Sequence, residues 1–213
     1  SISFIATLLF VVHPLHTEIT CNIKNVDELM SMIGSMSVIY FLFKYYDKRK
    51  VLYLIIPAII YVLAILSKED SLTFLAVIPL TFYIFTNASI KEHIKLMMPV
   101  FIGLLIYFII RFNALGFFLS NNVVNSELLN NPFLNTSIGE KLATVMLTWG
   151  IYLKLLFIPF PLTHDYYPYH IEISNFTNIW VIISTLIWVF LIVYALFHLK
   201  KKSIISFGIL FFL

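Results

Sequence analysis

The fold is decided by residues 178–198, NIWVIISTLIWVFLIVYALFH, a run that contains no Asp, Glu, Lys or Arg. A helix needs about 20 predominantly apolar residues to cross the hydrocarbon core of a bilayer. We therefore predict that this run forms a transmembrane helix.

The composition of the whole chain leads to the same class of protein. Of its 213 residues, 61% are hydrophobic and 12% are charged, and the mean hydropathy is +0.95. A soluble domain carries about 25% charged residues. These values exclude a soluble globule, a disordered chain and a coiled coil, and they predict an all-α polytopic membrane protein. The single Cys21 excludes a disulfide framework, and a net charge of +3 does not favour nucleic acid as a partner.

Other apolar runs, separated by polar residues, give the remaining helices. We predict that the first ends near residue 12, that the last begins near 203, and that the others cover 28–46, 51–67, 71–86, 96–112 and 141–159. Because the chain starts and stops inside apolar runs, we expect an internal fragment. It would be one transmembrane domain over 1–213 that lacks a first helix and a first outer loop.

Basic residues orient these helices, because the loops on the inner side of a membrane carry an excess of Lys and Arg. Nine of the fourteen basic residues, and only two acidic ones, lie at three places: 44–50, 91–95 and 200–202. We assign these segments to the inner side and 13–27, 67–70 and 113–177 to the outer side. A full span over 141–159 would put 200–202 outside. We therefore favour a partly re-entrant or interfacial helix there, with a full span as the alternative.

The predicted outer side carries three clusters of polar side chains. The first contains His13, His16 and Glu18, which are candidate metal ligands, and Asp27, which suits a helix N-terminus as well as catalysis. The second is the turn at 67–71, where Lys68 could meet an anion, or Asp70 or Ser71 could simply cap the next helix. The third covers 163–170, where tyrosines typical of an interfacial belt surround His164 and Asp165. Arg111 is either a snorkelling anchor or a phosphate ligand.

Four motifs, in order, resemble those of the transmembrane-and-tetratricopeptide-repeat O-mannosyltransferases and their bacterial relatives. Residues 13–18, HPLHTE, resemble the family signature H-P-x-H-T-E. Residues 22–29, NIKNVDEL, resemble its next stretch, which places an acidic residue at a helix start. Residues 67–69, SKE, resemble its K-E turn, and residues 161–166, PLTHDY, resemble its P-L-S-x-D-W/Y motif. The four motifs extend over most of the chain.

The resemblance implies a GT-C-type helical bundle with outer-face loops, which moves a sugar, here mannose, from a polyprenyl-phosphate donor to a protein hydroxyl. We expect the main catalytic base in the missing first loop and tetratricopeptide repeats after residue 213, so that the fragment alone would be inactive. Within the chain we assign Glu18 and Asp27 as catalytic carboxylates. The donor phosphate is assigned to Lys68, Arg111, His16 and His164, and supporting roles to His13, Glu69, Asp165 and Tyr167.

Some features of the family are absent, and other functions stay open. The family commonly has an arginine just before the acidic residue at the helix start, where this chain has Asn25 and Val26. The alternatives are a transporter, a structural membrane subunit, or a ligase or polymerase of lipid-linked oligosaccharides. The expected partners are the polyprenyl-phosphate-linked sugar, a protein or glycan acceptor and the lipid bilayer. A divalent cation is left open as a cofactor, and the expected location is a bacterial inner membrane, with the endoplasmic reticulum as the alternative.

Overall fold

The computed structural model describes residues 2–116, 131–134, 136–163 and 170–213, and every regular element in them is a helix. Three 3-10 turns cover Pro14–His16, Ile23–Asn25 and Glu69–Thr73. The α-helices are α1 (Ile2–Val12), α2 (Thr17–Cys21), α3 (Val26–Lys48), α4 (Leu52–Ser67), α5 (Phe74–Phe85), α6 (Ile90–Leu115), α7 (Ile138–Phe157), α8 (Ile179–Leu199) and α9 (Ile204–Phe212). The predicted all-helical class is confirmed for the described residues.

Within the described residues, three helices are long and apolar enough to cross a membrane: Ile23–Lys48, which adds a 3-10 turn to α3, together with α6 and α8. A fourth span is formed if Ser3–Val12 and Pro14–Cys21, which meet at a bend of 53°, count as one. Helix α4 has 16 residues, which reach about 24 Å against a hydrocarbon core of about 30 Å. Helix α7 does not belong to the spanning set, because Glu140, Lys141 and Lys154 interrupt its apolar surface.

Two helix boundaries differ from the prediction for identifiable reasons. Residues 91–95 were expected in a loop, but they form the first turns of α6. A capping box starts this helix at Ser89, whose hydroxyl accepts from the Glu92 amide while the Glu92 carboxylate accepts from the Ser89 amide. The segment predicted as one helix over 71–86 begins instead with the 3-10 turn Glu69–Thr73 and continues as α5.

The described chain clusters into two compact units. The first unit contains Ser1–Glu18 and Asn122–Phe197, and the second contains Ile19–Asn121 and His198–Leu213. Each unit is described below by itself.

The core of the second unit lies where α3, α4, α5 and α6 pack side by side. Gly34 lies so close to α4 that an added Cβ would be 2.8 Å from the Cβ of Ala64. Gly103 permits a similar approach of α6, since a Cβ there would be 2.9 Å from the Ala58 carbonyl oxygen. Small residues thus allow the helix backbones to pack closely. The fully buried apolar side chains around these contacts include Val38, Leu42, Tyr61, Ile65, Ile78, Phe82 and Val100.

One end of the second unit carries the basic segments. Arg49, which follows α3, forms an ion pair with Glu92 at the start of α6. Lys202 donates from Nζ to the Thr86 carbonyl oxygen at 2.5 Å and to Oδ1 of Asn87 at 2.7 Å. The three basic segments therefore lie at one end of the second unit, and their location on the inner side of a membrane stays a prediction. The turn at Lys68 and Glu69 lies at the opposite end of α4.

In the first unit, α7 crosses α8 near the beginning of α8. Ser184, the sixth residue of α8, donates to the Met146 carbonyl oxygen at 2.5 Å, and it faces Gly150. The middle of α7 therefore contacts α8 about 8 Å along the α8 axis from its first residue, and not at the midpoint of α8. Thr144, closer to the start of α7, accepts from the amide of Ser174, which precedes α8. Whether α7 spans the membrane or re-enters stays a prediction.

Candidate functional site

The end of the second unit opposite the basic segments contains four side chains that form two ion pairs, Glu28 with Lys68 and Glu69 with Arg111. We call these four residues the Lys68 cluster. Lys68 follows the last residue of α4 in an extended conformation, so its side chain leaves the helix axis. Its Nζ forms an ion pair with the carboxylate of Glu28, in the first turn of α3. The hydrogen bond to Glu28 raises the pKa of Lys68, and the negative charges of Asp27 and Asp70 act in the same direction.

Arg111 supplies the second cation of the cluster from the C-terminal part of α6. One guanidinium nitrogen pairs with the Glu69 carboxylate and donates to the Tyr107 hydroxyl at 2.6 Å. The Arg111 side chain is 12% exposed, whereas that of Glu69 is 57% exposed. The cation is therefore largely enclosed and reaches solvent beside its carboxylate partner.

The structure thus places both predicted phosphate-binding cations of the second unit next to glutamates. Two cations and two carboxylates make the Lys68 cluster neutral in itself. A phosphate group can bind there by displacing a carboxylate from its cation or through further N–H donors of Lys68 and Arg111. Glu28 was missed as a site residue, because its place at a helix start had a sufficient explanation as a charge that complements the helix dipole.

Asp27 is exposed at the start of α3, one residue before Glu28. Its Oδ1 accepts a hydrogen bond from the Glu28 amide at 2.9 Å, which satisfies one of the open donors at the helix N-terminus. Asp27 is not the N-cap of α3, because Asn25 occupies that position without a side-chain hydrogen bond; Asp27 instead complements the helix dipole from the first turn. Asp27 also lies close enough to Lys68 for their charges to interact. Its hydrogen bond with the Glu28 amide uses only one carboxylate oxygen, so the catalytic role of Asp27 stays a prediction.

A buried hydroxyl network holds the turn that carries Lys68 and Glu69. The Ser71 hydroxyl lies 2.5 Å from that of Ser31 and accepts from that of Ser35 at 3.2 Å. The Tyr61 hydroxyl donates to the Ser71 carbonyl oxygen at 3.2 Å. The prediction that Ser71 caps the following helix is wrong, because its side chain points into this network. Asp70 does not cap that helix either.

His13 and His16 lie in the first unit, where His13 joins two elements. Its Nδ1 accepts from the Leu15 amide at 3.3 Å, and its Nε2 donates to the Leu156 carbonyl oxygen near the end of α7 at 3.0 Å. Both ring nitrogens of His13 form hydrogen bonds with the backbone, so His13 connects the Pro14–His16 turn to the end of α7 and is not available as a metal ligand. His16 donates from Nδ1 to the Phe10 carbonyl oxygen at 2.6 Å.

The other predicted site residues divide between those that the structure describes and those that it does not. Glu18 is exposed in the first turn of α2, in the first unit. His164, Asp165 and Tyr167 lie outside the described residues. Within the described ranges, no group of three or more His, Cys, Asp or Glu side chains could hold a metal ion.

No protein-family model, curated protein or solved structure matches the chain. A family assignment therefore rests on the four sequence motifs, and an activity is argued from the motifs and the Lys68 cluster together.

Proposed function

We propose that this chain is the membrane portion of a GT-C-type glycosyltransferase. It would transfer a hexose, in our proposal mannose, from a polyprenyl-phosphate donor to a protein hydroxyl on the outer face. The observation that carries the proposal is the Lys68 cluster, in which two cations lie beside the start of α3 and in the C-terminal part of α6, two helices able to cross a membrane. The phosphate of a polyprenyl donor lies at that depth, because its lipid tail stays in the hydrocarbon region.

The chemistry requires cations that can leave their carboxylates when the donor arrives. In this proposal Lys68 exchanges Glu28 for a phosphate oxygen, and Arg111 exchanges Glu69 in the same way. The bond between the anomeric carbon and the phosphate oxygen breaks, and the polyprenyl phosphate leaves with the electron pair. Cations at the developing phosphate charge stabilise the transition state. The acceptor oxygen forms the new bond to the anomeric carbon and passes its proton to a carboxylate.

The first test removes the cations one at a time from the full-length protein. Lys68→Gln and Arg111→Gln should each lower sugar transfer roughly 10²-fold or more, since each removes a charge from the transition state. Transfer is measured in membranes with a short-chain polyprenyl-phosphate mannose as donor. Arg49→Gln is the matched control: it also breaks an ion pair with a glutamate, but at the opposite end of the bundle, and it should transfer normally. Wild-type rates in both cation variants would contradict the proposal.

The second test concerns Asp27 and Glu18, the carboxylates of this chain that we assign to the reaction. Asp27→Asn and Glu18→Gln should abolish transfer in the full-length protein while expression and membrane insertion persist. A role of Asp27 in complementing the helix dipole alone predicts lower stability with a normal rate per folded molecule. Normal turnover in both variants would remove these carboxylates from the reaction.

A further inference from the structure

The first unit contains a second polar site, a groove of about 390 Å³ between α7 and the segment that leads into α8. We call it the α7 groove. Its polar lining consists of Lys154, Thr163, His170, Glu172, Ser174 and Asn178. It shares no residue with the Lys68 cluster, and the sugar-transfer proposal assigns no role to the side chains that line it.

The α7 groove carries one positive and one negative side chain that do not pair with each other. Neither Lys154 nor Glu172 forms an ion pair or a side-chain hydrogen bond with any residue in the described part of the chain. Both are exposed. A ligand that carries both an anion and a cation would complement the two charges.

A buried hydroxyl in the same wall also lacks a partner. The Oγ1 of Thr163 is inaccessible to solvent and forms no hydrogen bond with the described residues. Burial of an unpaired hydroxyl is unfavourable, and most such groups in folded proteins have a partner. One hydroxyl of a residue that lines the groove is therefore left without a partner among the described residues.

The position of the α7 groove determines the source of its ligand. Asn178 lines the groove, and the candidate span α8 begins at the next residue, Ile179. The groove therefore lies at the depth where lipid headgroups meet the end of a transmembrane helix. Leu147, Ile151 and Leu155, on the α7 side, add apolar surface beside the charges, which suits the glycerol and upper acyl carbons of a lipid.

We propose that the α7 groove binds the headgroup of a phospholipid with a primary amine, an ethanolamine phospholipid. The ammonium group of Lys154 binds the lipid phosphate, and the carboxylate of Glu172 binds the lipid ammonium group. Binding is noncovalent and does not depend on the sugar-transfer proposal, because that proposal assigns no role to Lys154 or Glu172.

The test is lipid retention by the purified full-length protein, measured by native mass spectrometry in detergent. Equal amounts of phosphatidylethanolamine, phosphatidylcholine and phosphatidylglycerol are offered. The ethanolamine lipid should be retained preferentially, because choline has no N–H donor for Glu172 and glycerol has no cation. Lys154→Gln and Glu172→Gln should each weaken its binding by roughly tenfold to a hundredfold, since each removes a charged hydrogen-bond partner. Lys141→Gln, on α7 but outside the groove lining, is the matched control and should bind normally.

Equal retention of the three lipids, or normal binding by both groove variants, would overturn the proposal. A displacement experiment on the unaltered protein tests the proposal without relying on variants, which could fold poorly. Soluble phosphoethanolamine should displace the bound lipid only at a large excess, whereas glycerol phosphate should not displace it. Binding of free phosphoethanolamine as tight as that of the lipid would overturn the assignment to a membrane lipid.

Discussion

At the scale of single residues, the charged end of the second unit depends on which carboxylate each cation contacts. Lys68 contacts Glu28 and Arg111 contacts Glu69, so each cation has a partner that it can exchange for a phosphate. The Lys68 and Glu28 side chains are 29% and 33% exposed. Pairs of that exposure contribute little to stability, typically about 0–1 kcal/mol. Exchange of Glu28 for a phosphate ligand at Lys68 therefore costs little free energy.

The pairing of Lys68 with Glu28 has a measurable consequence for proton binding. Glu28→Gln should lower the pKa of Lys68 toward that of an ordinary lysine, about 10.4, because it removes the charged hydrogen-bond acceptor. Because folding raises this pKa, the pair stabilises the fold below about pH 10.4, and the contribution is lost as the pH rises through the folded-state pKa. A titration of ¹³C-methylated lysines by NMR measures the change. Glu92→Gln, at the other end of the bundle, should leave the Lys68 pKa unaltered, and an equal effect of both variants would contradict the assigned pair.

Glu28 also shows why the site was only partly predictable. The sequence places Asp27 and Glu28 side by side at a helix start, and both suit the positive end of the helix dipole. Which of the two faces Lys68 depends on the rotation of α3 against α4, and no local pattern specifies that rotation. The cations could be predicted from their positions at helix ends, whereas their partners required the packed structure.

At the scale of elements, close packing of α3 on α4 fixes where Glu28 meets Lys68. Gly34→Ala should destabilise the second unit by about 1–3 kcal/mol, because its Cβ would lie 2.8 Å from that of Ala64 and the helices must separate. The double variant Gly34→Ala with Ala64→Gly moves the methyl group to the other helix and should recover most of the loss. Thermal or denaturant unfolding in detergent measures both.

A glycine elsewhere in the second unit supplies the control for that experiment. Gly208, in α9, has no heavy atom within 4 Å of an added Cβ. Gly208→Ala should therefore be neutral or slightly stabilising, since alanine is the better helix former. If Gly34→Ala were equally harmless, the close contact of α3 with α4 would be wrong.

The helices themselves were more predictable than the boundaries between them. Long apolar runs predict α3, α6 and α8, because a run of about 20 apolar residues is typical of a transmembrane helix. The start of α6 was misplaced because Lys91, Glu92 and Lys95 have the composition of a loop. Ser89 and Glu92 have the spacing of a capping box, which was the available signal for a helix start. The 3-10 start of the segment after Lys68 had no comparable signal, since the tertiary network around Ser71 produces it.

At the scale of the whole molecule, the central claim concerns the second unit and the membrane. Its basic segments lie at one end and the Lys68 cluster lies at the other, with apolar helices between them. From the rule that basic residues stay on the inner side, we predict that the Lys68 cluster lies outside. A polyprenyl-phosphate donor on the outer face requires this orientation.

The most direct test of that claim is the labelling of single cysteines from each side of the membrane. Asp70→Cys, beside the Lys68 cluster, and Lys201→Cys, in the basic segment, are each introduced into a Cys21→Ser background of the full-length protein. A membrane-impermeant maleimide should label position 70 in intact cells and position 201 only after permeabilisation. Labelling of both positions from outside, or of position 201 alone, would contradict the orientation, and with it the placement of the transfer reaction on the outer face.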